Sequence, residues 1–194
     1  MVSRQGCRAI IAVKARAECK TRLRAVLGPA AREQLARDML EHVLATAHAT
    51  SGIDEVMVVS PERDEVAAGI TVIQDDGRDL NGAFAAAREH ALAGGECPLL
   101  FLPADLPSLR MEDLVALIAA GQDSGVAIAT DRAGTGTNAL YLAQSAGFPF
   151  SFGADSRRLH EAAARAGGHA ACVVSRAGLQ LDIDTTEDYL EAFA

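Results

Sequence analysis

Hydrophobic positions along the chain recur in two rhythms. Apolar runs at residues 7–13, 54–60, 99–102, 125–130, 139–143 and 170–175 predict strands, and the unbroken run 99–102, which leaves no polar face, predicts a buried one. A shorter run, ITVIQ at 70–74, predicts one more strand. Between these runs apolar residues return at helical spacing. Leu35, Met39, Leu40, Val43, Leu44 and Ala47 form one stripe of a long helix opened by Pro29, where the missing N–H costs nothing. Residues 81–95 predict a helix capped by Asn81 and stopped by a Gly pair. Leu114, Leu117 and Ile118 mark another, 154–168 a further one with a Gly stop, and Thr185 or Thr186 caps a last short helix. Residues 15–23 are a polar, basic loop. The alternation β-α-β-β-α-β-α-β-β-α-β-α is that of a layered α/β fold with a mostly parallel central sheet flanked by helices. With no internal repeat and no linker, residues 1–194 are expected to form a single domain.

Composition narrows the partners. The 194 residues are 49% hydrophobic, enough chain to bury roughly 70% of its unfolded surface. A net charge of −8 with no Lys/Arg block argues against nucleic acid, so an anionic substrate would need locally gathered cations or metal ions. No N-terminal stretch has the length of a signal peptide or a membrane span, and a soluble, cytoplasmic protein is expected. Cys7, Cys19, Cys97 and Cys172 show no C-x-x-C spacing, which leaves neither a zinc site nor a redox pair. Cys97 and Cys172, beside predicted strands, read as small core residues.

Four stretches and one aspartate carry candidate chemistry. In LLFLPADLPSL, Pro103 and Pro107 stop the buried strand and leave Asp105 just beyond it, at the edge where open α/β sheets bind ligands. A carboxylate there needs a cation, backbone donors or a metal; equally, it could cap the next helix. Lys14, Lys20 and Arg22 cluster in the loop after the first strand, a place suited to nucleotide phosphates. DRAGTGTNAL (131–140) contains G-x-G-x-x-A, but a strand follows instead of a helix, so a dinucleotide fingerprint is rejected. Its glycines, Thr135, Thr137 and Asn138 still suit an anion. In FGADSRRLH, Gly153 permits close backbone approach, Ser156 opens a helix, and Arg157, Arg158 and His160 add positive or switchable charge. Asp182 and Asp184, spaced i, i+2, point the same way from an extended segment; with Asp105 they make an all-oxygen set suited to Mg²⁺.

Taken in order, AVK with CKTRL, LNGA, PADLP, GTNAL, FGADSRRLH and DIDTTED resemble the 2-phospho-L-lactate guanylyltransferase family of coenzyme F-420 biosynthesis, over nearly the whole chain. That family is similar to the wider GT-A nucleotidyltransferases. The resemblance implies a GT-A-like fold and transfer of GMP from GTP to a small phosphorylated three-carbon carboxylate. The acceptor would be 2-phospho-L-lactate, phosphoenolpyruvate or 3-phospho-D-glycerate, and pyrophosphate would leave. It implies Mg²⁺ on Asp105, Asp182 and Asp184, with Lys14, Lys20 and Asp105 as the catalytic residues. Lys14, Lys20, Arg22, Asn81 and Gly82 would bind the nucleotide. Thr137, Asn138, Gly153, Ser156 and Arg157 would bind the acceptor. A homodimer is compatible with the family. Three positions depart from its pattern: IAVK stands for I-P-V-K, Asp79 precedes Leu80 and Asn81 where glycine is usual, and Arg157 follows Ser156 where an aromatic is common. Arg157 would suit an acceptor whose anionic group lies further out, such as 3-phosphoglycerate. The alternatives are a molybdenum-cofactor or sugar nucleotidyltransferase, disfavoured by the absence of glycine in AVKARAECK, and a non-catalytic GTP-binding regulator.

Overall fold

Seven strands join into one sheet of order β3-β2-β1-β4-β6-β5-β7 in the computed structural model, which describes residues 6–13, 20–62 and 69–193. They are β1 (Cys7–Ala12), β2 (Ile53–Ser60), β3 (Thr71–Gln74), β4 (Leu99–Pro103), β5 (Gly125–Ala129), β6 (Ala139–Leu142) and β7 (Ala170–Val174). Only β6 runs against its neighbours β4 and β5; the other pairings are parallel. The connection from β5 to β6 spans only residues 130–138, too short for a parallel crossover, so the chain turns back on itself there.

The sheet is sandwiched, and the period-2 alternation of each strand sorts its side chains between two cores. Ala9, Ile11, Leu100, Leu102, Ala127, Ala129, Ala139 and Tyr141 face α1 (Pro29–Ala49) and α3 (Met111–Ser124). Ile10, Leu99, Phe101, Val126, Ile128, Leu140 and Leu142 face α2 (Leu80–Leu92) and α4 (Ser156–Ala166). A third, smaller cluster of Leu23, Met39 and Ile183 joins the 3₁₀ helix Thr21–Ala25 and α1 to the segment that follows the short helix α5 (Ala177–Gln180). The last helix, α6 (Thr186–Phe193), adds Tyr189 and Ala192 to that cluster.

Several boundaries differ from the sequence reading. The basic loop contains the 3₁₀ helix, and α5 was not anticipated. Helix α2 begins at Leu80 and is capped by Asp79, whose Oδ1 accepts from Gly82 N at 2.8 Å, so Asn81 is not the cap. Thr185 caps α6: its Oγ1 accepts from Asp188 N, and Asp188 in return accepts from Thr185 N at 2.8 Å. Cys97 and Cys172 are only half-buried, while Cys7 is sealed in the core. Among the described residues no helix is long and apolar enough to cross a membrane.

The chain builds outward from β1 in one direction through β2 and β3, then returns to place β4 on the other side of β1. The crevice of such a sheet opens where this reversal occurs, at the carboxyl ends of β1 and β4, where Ala12 lies opposite Pro103. Because β5 and β7 run parallel to β4, the segments that follow them open on that same edge.

Candidate active site

Asp105 follows the end of β4, as expected, and Ala104 N donates to Ala12 O at 3.2 Å to hold the turn beside β1. The cation that meets Asp105 is an ammonium. Lys20 Nζ lies 2.6 Å from Asp105 Oδ2 and donates to Ile183 O, also at 2.6 Å. Lys20 is set up for this reach by a left-handed backbone (φ 53°, ψ 36°) at the start of the 3₁₀ helix. The buried Leu23 anchors that helix. Ile183 N in turn donates to Asp105 O at 3.3 Å, so lysine, aspartate and the late segment form a closed ring of contacts.

Ile183 is fully buried, and the carboxylates on either side of it, Asp182 and Asp184, share the opposite face, as their i, i+2 spacing predicts. Asp184 Oδ1 comes within 3.9 Å of Lys20 Nζ, and its Oδ2 within 3.6 Å of the largely exposed Arg22. Asp182 Oδ1 accepts from Asn138 Nδ2 at 3.2 Å. Burial and then the charges of Asp105 and Asp184 hold the Asp182 carboxyl above the usual carboxylate range. Three carboxylates therefore converge on one edge with more negative charge than Lys20 relieves.

Among the described residues no three His, Cys, Asp or Glu side chains are gathered tightly enough to enclose a metal ion. The donor chemistry nonetheless fits a hard cation of the magnesium type. Such an ion takes one or two carboxylate oxygens and fills its remaining positions with water and substrate phosphate. The mutual repulsion felt by Asp182 is what a divalent ion would relieve.

The Gly-rich connection between β5 and β6 ties this acidic edge to the start of α4. At its end Asn138, besides holding Asp182, donates to Leu179 O at 3.0 Å. In its middle Thr135 O accepts from Arg157 N, and Gly134 O from Arg157 Nη1 at 3.0 Å. Arg157 is further occupied by Glu161, 3.0 Å from its Nε. Its guanidinium thus braces the loop through Nη1, with Nε held by Glu161. Ser156 opens α4 with its Oγ buried and without a hydrogen-bond partner, and Gly153 just before it adopts φ 122°, a conformation glycine alone takes without strain. An orphaned hydroxyl at a helix N-terminus is suited to an anion.

Thr137 and His160 complete this wall. Thr137 Oγ1 and His160 Nδ1 are 3.0 Å apart, and Ser151 N donates to His160 Nε2 at 3.0 Å. Burial pushes the imidazole pKa down to about 4, so His160 is neutral at pH 7 and does not supply the positive charge read for it from the sequence. Its ring sits edge-on to Phe152, 4.9 Å between centroids. Phe148 also lies against the ring, and Phe148, Phe150, Phe152, Phe84 and Phe101 pack together as one cluster. This aromatic wall was missed in the sequence, although the i, i+2 spacing of three phenylalanines in FPFSF signalled a shared face.

Two expected nucleotide contacts have other occupations. Asn81 Nδ2 donates to Phe152 O, and Phe152 N donates to Asn81 Oδ1 at 2.6 Å, so the carboxamide pairs with the aromatic segment like one step of a strand. The Gly82 N–H is taken by Asp79. Lys14 lies outside the described residues.

The fold is shared with solved structures of the GT-A-like type. A solved structure described as a nucleotide-diphospho-sugar transferase from Desulfovibrio desulfuricans superposes with a TM-score of 0.77, covering 94% of this chain and 84% of its own at 16% identity. A CMP:2-keto-3-deoxy-manno-octonic acid synthetase in complex with CTP does so with a TM-score of 0.61, at 16% identity over 96% of each chain. Residues 7–194 match the family model for CofC-like guanylyl transferases, and the chain belongs to that family. Relatives named phosphoenolpyruvate guanylyltransferase bear this out. The one from Sphaerobacter thermophilus is 36% identical over 94% of this chain and 90% of its own, and the one from Rubrobacter xylanophilus 37% identical over 93% and 90%.

Proposed function

We propose that the chain joins GMP from GTP to the phosphate of a small phospho-carboxylate, with phosphoenolpyruvate as the acceptor, in the assembly of coenzyme F-420. The observation that carries this reading is the double attachment of residues 134–138. One end bonds Asp182 of the acidic edge, and the other bonds the start of α4 with its orphaned Ser156 hydroxyl. Such a loop sets a site for an anion beside a site for a nucleotide triphosphate and its counter-ion.

The chemistry follows from charge. The acceptor phosphate, with a second pKa of about 6, is mostly dianionic at pH 7 and is already a nucleophile. One of its oxygens forms a bond to the α-phosphorus of GTP, the bond from that phosphorus to the bridging oxygen breaks, and pyrophosphate leaves with the electron pair. No proton moves, so no general base is needed. The obstacle is bringing two polyanions together. Lys20, already at the acidic edge, and Arg22, exposed beside it, would gather the triphosphate. Ser156 and the Gly-rich loop would hold the acceptor. Mg²⁺, held by Asp105, Asp182 and Asp184, would neutralise phosphate charge and stabilise the leaving group. Among the three acceptors, phosphoenolpyruvate is the first choice because it is the one named for the relatives.

The test is pyrophosphate release from GTP and Mg²⁺ with phosphoenolpyruvate, 2-phospho-L-lactate and 3-phospho-D-glycerate offered separately. The expected result is turnover that requires an acceptor and is fastest with phosphoenolpyruvate. GTP binding with no release in any of the three arms would overturn the reading.

A further inference from the structure

The hydrogen bonds around His160 fix where its proton sits. Ser151 N–H is a donor and nothing else, so Nε2, which receives it at 3.0 Å, must be the unprotonated nitrogen of the ring. A fully buried, neutral imidazole then carries its single hydrogen on Nδ1. That nitrogen faces Thr137 Oγ1 at 3.0 Å, so the hydroxyl is the acceptor in this contact. Its own hydrogen is left over. Among the described residues Thr137 Oγ1 has no further hydrogen-bond partner, and Thr137 belongs to the loop that joins the acidic edge to α4. Phe148 and Phe152 flank the ring and exclude water from its other side.

We infer that His160 is a positioning residue that occupies a lone pair of Thr137 and leaves its hydroxyl hydrogen to donate to an anionic oxygen of the phosphorylated acceptor. This rests on the reading of residues 134–138 as the acceptor site. A free hydroxyl rotates and presents lone pairs as readily as its hydrogen. One already accepting from an imidazole N–H is turned so that an anion meets the hydrogen, which favours an oxyanion over a neutral ligand. His160 thus acts on acceptor binding without touching the acceptor and without carrying charge.

Two measurements on the intact protein decide this. In protein labelled with ¹⁵N-histidine, with His160 assigned by comparison with His160→Asn, the ring must show a protonated Nδ1 and a bare Nε2 at pH 7. The opposite tautomer overturns the inference, and this arm needs no variant to be active. Kinetics supply the second arm. His160→Gln keeps an acceptor at the Nε2 position for Ser151 N–H and displaces the donor from the Nδ1 position. It should raise the acceptor KM about tenfold and leave the KM for GTP within about twofold. Thr137→Val should raise the acceptor KM by at least as much, and His160→Gln added to Thr137→Val should then change little further. Multiplicative effects of the two substitutions, or equal losses for GTP and acceptor, overturn the inference while leaving the guanylyl-transfer reading intact. A wild-type protein that transfers GMP to no phospho-carboxylate overturns both.

Discussion

Lys20 Nζ lies 2.6 Å from Asp105 Oδ2 with its side chain only 9% exposed, so a lysine from the loop after β1 and an aspartate after β4 bridge the switch point of the sheet. Lys20→Met should lower stability by about 2 kcal/mol, the scale of a hydrogen bond to a charged partner. It should also slow GMP transfer about 100-fold. Added Mg²⁺ should restore more thermal stability to this variant than to the wild type, which differential scanning fluorimetry with and without the ion would measure.

Asp182 stands against the fold that contains it. A carboxyl held above its ordinary range binds its proton more tightly folded than unfolded, so its charged form destabilises the native state at neutral pH, and stability is regained as pH falls through that raised value. Asp182→Asn keeps an oxygen for Asn138 and removes the charge. In EDTA at pH 7 it should melt higher by about 2–4 °C, the shift for roughly 1 kcal/mol in a domain of this size. Its transfer rate should fall about 100-fold or more. A lower melting temperature would refute the electrostatic account.

His160 gives the opposite pH dependence. Its folded pKa, about 4, lies below its ordinary value, so the unfolded chain takes up the proton first. Its contribution is complete above about pH 6.5 and is lost as pH falls towards 4, at most about 3 kcal/mol across that window. Urea titrations from pH 7 to 4 should show a steeper loss of stability for the wild type than for His160→Asn.

Asn81 secures the aromatic segment through two hydrogen bonds to Phe152. Asn81→Asp loses the donor and sets a carboxylate against Phe152 O, which should cost about 1–3 kcal/mol. The acceptor KM should rise with little change in the KM for GTP. A selective rise in the GTP value would return Asn81 to the nucleotide site.

Gly121 on α3 lies directly beneath the buried ring of Tyr141, where a Cβ would overlap the ring carbons. Gly121→Ala raises helix propensity yet should destabilise by about 1–3 kcal/mol, because the ring has no room to retreat. Chemical denaturation measures the balance.

The layered α/β fold was legible because apolar runs and helical stripes are local signals, and each strand run became a strand. The reversed β6 was readable too, in the short gap between Ala129 and Ala139, but only by asking what a gap of that length permits. The convergence of Asp105, Asp182 and Asp184 on one edge followed from strand ends and i, i+2 spacing. Partner choice was less legible. That Lys20 meets Asp105, that Asp79 displaces Asn81 as a cap, and that Arg157 serves the Gly-rich loop all depend on contacts between residues distant in sequence or on competition between adjacent caps. Composition and spacing carry no record of them. His160 looked like a source of charge because its burial against Phe148 and Phe152 depends on contacts that spacing alone does not record.

The small cluster of Leu23, Met39 and Ile183 has a consequence for the order of assembly. Lys20 and Asp105 emerge from the ribosome long before Ile183, whose backbone completes their ring of contacts. Until that late residue docks, the pair lacks the Ile183 carbonyl and N–H that close its ring of contacts. The full set of contacts around Lys20 and Asp105 is therefore complete only when the segment around Ile183 has docked.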